Sequence, residues 1–191
     1  MGARLTGACA SVSIRPVQPS DVPGLDAFVR NLSAHSRQRR FHGAMAQLPP
    51  DLLHRFTHPN PDVECSVLAV ATEAGRETLV GEARYAIGDG SAQAREFALT
   101  VADAWQRRGI GAGLLRSLAE HAAMHGVERL YGDVLRDNLP MIALAESECF
   151  GIAAHPAEQR LLRVAKDLAA TRSLAALVST VIRRAQPAIL L

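Results

Sequence analysis

Residues 106–112 constrain the fold of this chain more than any other stretch. Gln106, Arg107, Arg108, Gly109, Ile110, Gly111 and Ala112 lie between a β-rich apolar run at 97–101 and a helical apolar pattern at 114–124. A strand feeding a glycine-bearing loop that opens a helix presents unpaired backbone N–H groups at the positive end of the helix dipole. Glycines there leave no Cβ between the main chain and an approaching anion. Such a turn suits a pyrophosphate. Gly111 is followed by Ala112 and Gly113, which excludes the Gly-Lys-Ser/Thr ending of a nucleoside triphosphate loop. The triplet Gly109, Gly111, Gly113 also lacks the third glycine offset of a dinucleotide fingerprint, and it does not open an N-terminal βαβ unit.

The flanking pattern predicts a single α/β (α+β) domain. A first strand is expected at 13–17, then a helix from Ser20, Asp21 and Pro23 to about Leu32, started by capping side chains and an early proline. An arginine- and histidine-rich stretch, 33–45, precedes a second helical segment at 52–57 opened by Pro49, Pro50 and Asp51; together they read as a flap on the substrate side. Residues 65–72 and 78–87 read as a hairpin turned by Ala74, Gly75 and Arg76, with a further turn at 88–90 and a third antiparallel strand at 94–101. After the glycine turn, Leu114, Leu115, Leu118, Ala119 and Ala122 give a helix one apolar face, and Gly126 stops it. A strand at 129–134, a helix at 138–148 and a closing strand pair at 150–155 and 159–166 complete a domain spanning 1–167. An amphipathic pattern at 168–184, with Leu174, Leu177, Val178, Val181 and Ile182 on one side, forms a C-terminal extension, 168–191. It suits packing on its own domain, with a second copy of the chain, as a homodimer, the other occupant.

Composition removes several functional classes. With 191 residues, 48% hydrophobic and 21% charged, the chain is long enough for one self-sufficient core. A net charge of +2 gives no ground for nucleic-acid binding. Cys9, Cys65 and Cys149 are too few and too scattered for a disulfide framework or a zinc site, which fits a reducing cytoplasm. Residues 1–12 lack the apolar core of a secretory signal, and Arg172, Arg183 and Arg184 interrupt 168–184, so no membrane span is expected. His35, His42, His54 and His58 do not show a metal-binding spacing with a carboxylate and are read as solvent-facing.

The turn Gln106, Gly109, Gly111, followed by a helix, a strand and an asparagine-initiated helix that includes Asn138, Leu139, Pro140, Met141 and later Phe150, resembles the GNAT superfamily of N-acyltransferases from about residue 13 to about 167. The resemblance implies a mixed, mostly antiparallel central sheet, splayed around acyl-CoA and flanked by helices, with acetyl-CoA as cosubstrate. It implies that Leu99 and Val101 offer backbone hydrogen bonds to the pantetheine, that residues 106–112 hold the pyrophosphate through N–H groups, and that Arg107 and Arg108 add charge-assisted contacts. Asn138 matches the family's pantetheine-binding asparagine and also suits an N-cap. Residues 95–101, with Asp103, Trp105, Gln106, Arg108, Gly109 and Ile110, and the stretches 32–41 and 48–57, resemble the catalytic domain of bacterial Pat-type protein lysine acetyltransferases, which carry a glutamate where Glu96 stands.

An amine is protonated at neutral pH, lysine titrating near ~10.4, so a carboxylate base assists its attack on a thioester. Glu96 is the candidate base; on the residues alone it reads equally as a strand carboxylate paired with Arg95 or Arg84. The acceptor implied is an amine, a protein lysine in Pat-like enzymes and a small amine in many others. Arg37, Arg39 and Arg40 are expected to form a cationic surface for an acidic protein face. Many relatives place a tyrosine general acid seven residues after the asparagine, where this chain has Ala145, and Pat-like sequences often lack it too. Ser147 and a bound water are the substitutes. Cys149, replacing the glycine that commonly precedes Phe150, is expected to be a buried packing thiol. A module that senses acyl-CoA without turnover is the alternative from another class.

Overall fold

The computed structural model describes residues 11–43, 45–88 and 93–169. Seven strands form one sheet: β1 (Ser11–Pro16), β2 (Cys65–Glu73), β3 (Arg76–Ile87), β4 (Ala94–Val101), β5 (Arg129–Leu135), β6 (Gly151–Ala154) and β7 (Leu161–Asp167), in the order β1-β2-β3-β4-β5-β7-β6. The hairpin between β2 and β3 turns on Ala74 and Gly75, whose φ angles are 48° and 78°, the left-handed pair that matches strand twist. Only β4 and β5 run parallel. Their ladder covers Ala94 to Glu96 against Arg129 to Tyr131 and then ends.

Side-chain alternation divides the molecule in two. Glu82 and Arg84 of β3 share a face with Glu96, Ala98 and Thr100 of β4, whereas Ala83, Tyr85, Phe97, Leu99 and Val101 point the other way. On the second face lies α4 (Ile110–Met124), which buries Leu114, Leu115, Leu118 and Ala122 completely. The first face is covered by α1 (Val22–Asn31), α2 (Ala34–Phe41) and α3 (Pro50–Thr57), whose Leu25, Phe28, Val29 and Phe56 pack with Leu68 and Val70 of β2. The last helix, α5 (Leu139–Ser147), leads into β6. No helix among the described residues is long and apolar enough to cross a membrane.

One expectation meets a different structure. Cys149 is exposed, not buried. It takes φ 60° just beyond α5, and the chain reverses there as Phe150 N–H donates to the Ala145 oxygen at 2.9 Å; this left-handed stop turns Cys149 outward and sends Phe150, 5% exposed, into the core. Ala145 is fully buried in that core, so its position faces packing atoms. Of the amphipathic pattern at 168–184, Leu168 is buried and its N–H donates to the Glu128 oxygen at 2.7 Å; the pattern from 170 onward lies outside the described residues, as do positions 89 and 90 of the turn at 88–90. Lys166, the only lysine in the sequence, donates through Nζ to the Glu148 backbone oxygen at 2.9 Å and lies 5.6 Å from the centre of the Phe150 ring.

Candidate active site

Where β4 and β5 part, a cavity of about 710 Å³ opens. Gly132 marks the fork: a Cβ there would stand 2.9 Å from the Phe97 carbonyl oxygen and 3.0 Å from its ring, so only glycine lets the two backbones approach before diverging. Glu96, Leu99 and Val101 line one wall, Gly132, Asp133 and Val134 the other, with Asn138, Met141 and Leu144 continuing the second. The turn before α4 closes one end and α2 roofs the space with Ser36, Arg39, Arg40, Phe41 and the following His42.

At the turn, Gly109 is the N-cap of α4 with φ 79°. The first intrahelical bond from this cap is Gly113 N–H to the Gly109 oxygen, 3.0 Å, so the N–H groups of Ile110, Gly111 and Ala112 precede the helical ladder and remain available to an anion. The sequence places 106–112 wholly in a loop; α4 in fact begins at Ile110, which brings those three amides to the dipole end. Gln106, Arg107, Gly109, Gly111 and Ala112 line the cavity. Arg108 and Ile110 do not. The Arg108 guanidinium lies 4.9 Å from the Trp105 ring centre, and the Ile110 side chain is 7% exposed in the core, which leaves Ile110 only its backbone to offer.

Gln106 turns its side chain inward. Its Nε2 donates to the Val101 oxygen at 3.0 Å and to Ser36 Oγ at 3.3 Å, joining β4, the turn and α2. Asp103 completes the junction, accepting from the Ser33 N–H at 2.9 Å and from Ser33 Oγ and Ser36 Oγ at 2.8 Å each. Burial pushes the Asp103 carboxyl up, but these hydrogen bonds together outweigh it and hold it below the ordinary carboxylate range. Asn138 caps α5, accepting from the Met141 N–H at 3.4 Å, while 9% exposed at the cavity wall.

Of the flap arginines, Arg40 does not join the expected cationic surface. Arg40 is buried against Glu82 on β3 at 3.1 Å. Arg37 donates to the Leu32 and Arg30 carbonyls, and Arg39 spans from α2 to the Asp137 carbonyl at 3.3 Å. Backbone carbonyls thus take donors of Arg37 and Arg39 and a buried carboxylate takes Arg40, while Arg39 Nε is buried without a hydrogen-bond partner. Arg84 engages Glu64 at 3.7 Å and stacks 3.8 Å over Phe56.

Opposite Glu96, which is exposed, Asp133 is clasped by Arg163 through bonds of 2.8 and 2.9 Å and by His155 Nε2 at 3.1 Å. Burial raises the Asp133 carboxyl, but the Arg163 bonds and charge, followed by His155, outweigh this and leave it below its ordinary range. Backbone N–H groups of Ala157 and Glu158 donate to His155 Nδ1, so its hydrogen sits on Nε2, toward Asp133. His42, expected at the surface, instead lines the cavity half-buried. Asp133, His155 and His42 carry no local sequence signal, since β5, the β6–β7 turn and the end of α2 meet only through the sheet order. The serines had one: Ser33 and Ser36 stand three apart at a helix start, and Ser33 Oγ accepts from the Ser36 N–H at 3.1 Å.

A forked sheet with unpaired helix-start amides at one end and a carboxylate at the other defines the class. The chain belongs to the acetyltransferase (GNAT) family, which it matches over residues 29–151. It is 32% identical over 120 residues to acetyltransferase PA5475 of Pseudomonas aeruginosa, covering 63% of this chain and 64% of that protein. It is 31% identical over 128 residues to acetyltransferase Pat of Mycolicibacterium smegmatis, covering 67% of this chain and 38% of that one. Both alignments therefore span less than two thirds of the relative. Among solved structures, the GNAT domain of S. lividans PAT superposes with a TM-score of 0.73 at 28% identity, covering 82% of this chain and 90% of that domain. Acetyl-CoA is the cosubstrate of this family.

Proposed function

We propose that the protein transfers the acetyl group of acetyl-CoA to a primary amine, that of a protein lysine, by direct attack in a ternary complex with Glu96 as general base. The fork that ends at three free helix-start amides carries this reading. The residues fit the cosubstrate: N–H groups of Ile110, Gly111 and Ala112 suit the pyrophosphate, Arg107 lies beside them, and β4 beyond Glu96 has no strand on the β5 side, leaving backbone at Leu99 and Val101 for the pantetheine. Val101 has already given its carbonyl to Gln106, so its contribution to such an edge is the N–H. Residues 1–167 are the transferase domain in this reading.

The thioester supplies the activated acetyl group. Glu96 stands on the flap face of β4 and takes the ammonium proton directly or through one water. No described cysteine is placed to carry the acyl group: Cys65 is buried with its thiol pushed up to about 11 by burial, and Cys149 is outside the cavity wall, which supports direct attack. Ala145 offers no acid, and the Ser147 hydroxyl donates to the Leu144 carbonyl at 2.8 Å. A coenzyme thiolate leaves tolerably near neutral pH without one.

The protein-lysine acceptor is supported by the likeness to Pat and to the PAT GNAT domain. An acceptor screen with lysine-bearing proteins from the native host beside spermidine and kanamycin tests it. Labelled protein is the expected result; efficient small-amine acetylation with no labelled protein would reject the acceptor. Glu96→Gln is expected to bind acetyl-CoA as the parent does while turning over roughly 100-fold or more slowly at neutral pH, with partial recovery as pH rises. Parental rates in this variant across the pH range would remove Glu96 from the mechanism and favour an acyl-CoA-sensing module.

A further inference from the structure

We infer that His42 receives the acceptor: one nitrogen of its ring accepts a hydrogen bond from the incoming amine and orients that amine toward the thioester. The inference rests on the transferase reading and adds to it a residue from the flap. Three observations converge. His42 lines the cavity that Glu96 and Asp133 share. It ends α2 with φ 52°, a left-handed helix stop that histidine tolerates better than most residues and that fixes where the ring leaves the helix. It shares the cavity wall with Asp133 and feels that carboxylate's charge, which sets the end of the flap beside β5 at the level where β5 has already left β4.

The protonation state follows from the surroundings. Burial pushes the His42 imidazole below its ordinary range; Asp133 and Glu158 oppose this and Arg160 adds to it. Asp133 is itself occupied by Arg163 and His155, which weakens its pull on His42. The ring is therefore neutral at neutral pH, and a neutral imidazole carries an N–H on one nitrogen and a lone pair on the other. That property suits an amine acceptor. A second carboxylate beside Glu96 would stabilise the ammonium and hold its proton; an uncharged acceptor takes one of the N–H groups left after deprotonation without favouring the charged form. Glu96 removes the proton, and His42 fixes the nitrogen.

Two variants and one spectroscopic measurement test this. His42→Asn keeps a side chain that tolerates left-handed backbone, and His42→Phe keeps bulk but no nitrogen; thermal melting verifies that each is folded. In either, the Michaelis constant for Nα-acetyl-lysine methylamide is expected to rise roughly 3- to 10-fold, the scale of one hydrogen bond, with the calorimetric affinity for acetyl-CoA unchanged. In parent protein labelled with 13C-histidine and loaded with coenzyme A, the His42 ring resonance, assigned by its absence in His42→Asn, is expected to move when the same amine is added. An unchanged Michaelis constant in folded variants, or a resonance that stays still at saturating amine, overturns the assignment. The resonance reads His42 whether or not turnover is detected, so a parental Glu96→Gln would strike the base and leave His42 standing.

Discussion

Gly109 and Gly111 resist substitution for different reasons. At φ 79° Gly109 has open space where a Cβ would go, so a side chain there is opposed by backbone strain of about 1–2 kcal/mol. Gly111 has helical neighbours, and a Cβ would meet Leu144 Cδ2 at 3.1 Å. Gly109→Val and Gly111→Val are both expected to weaken acetyl-CoA binding strongly in calorimetry, the first with a lowered melting temperature from strain and the second from crowding against α5; parental affinity in both folded variants would make the turn purely structural. Cys149 offers the opposite case. It occupies φ 60° at a helix stop, where glycine carries no penalty, so Cys149→Gly is expected to raise unfolding free energy in urea by about 1 kcal/mol. At this scale the sequence was informative where chemistry needs a residue type at fixed spacing, as at Gln106, Gly109, Gly111 and Asn138. It was silent on direction: that Arg108 lies on Trp105, that Gln106 folds back onto Val101, and that Cys149 faces outward are consequences of backbone angles at Arg107, Gly109 and Cys149, which no spacing reveals.

Among the elements, α2 depends most on its partners. Eight residues, mostly polar, do not hold a helix in water, and the Asp103 carboxylate anchors its start. Because the folded pKa of Asp103 is depressed, its contribution to stability is present above the unfolded value near ~3.9 and is lost as pH falls through the folded value. Asp103→Asn is expected to lower stability at neutral pH and to flatten the decline of unfolding free energy on acidification below about pH 4, measured by urea titrations at a series of pH values. Periodicity placed most helices and strands within a few residues, because their apolar faces repeat and Pro23, Pro50 and Gly126 punctuate them. The docking of α2 on Asp103 spans 67 and 70 positions. Such a contact depends on where the sheet brings two loops, and a local pattern does not contain that information.

The whole molecule is a sheet with an apolar helix on one side and, on the other, a flap seated partly on buried ions. Arg40 and Glu82 have side chains 7% and 3% exposed, and their neighbour Arg84 has its guanidinium pKa lowered by burial. Removing one partner strands a charge, so Glu82→Ala is expected to cost about 3–5 kcal/mol in chemical denaturation, whereas Arg116→Ala, which breaks the exposed pair with Glu148, should cost about 1 kcal/mol or less. The glycine turn with the downstream asparagine made the fold legible at this scale, while Arg40 looked like part of a recognition surface because composition does not distinguish a solvated charge from one spent inside. A last feature of the molecule concerns its own chemistry. Twenty-one basic side chains include only Lys166 as an amine, and that ammonium is tethered to a backbone carbonyl. Under the proposed lysine acceptor, a chain whose basic side chains are almost all arginine offers its own reaction one side-chain amine, and that one is already engaged. Mixed with acetyl-CoA alone it should accumulate no acetyl-lysine in peptide mass spectra, so that every such modification seen in a reaction belongs to the acceptor.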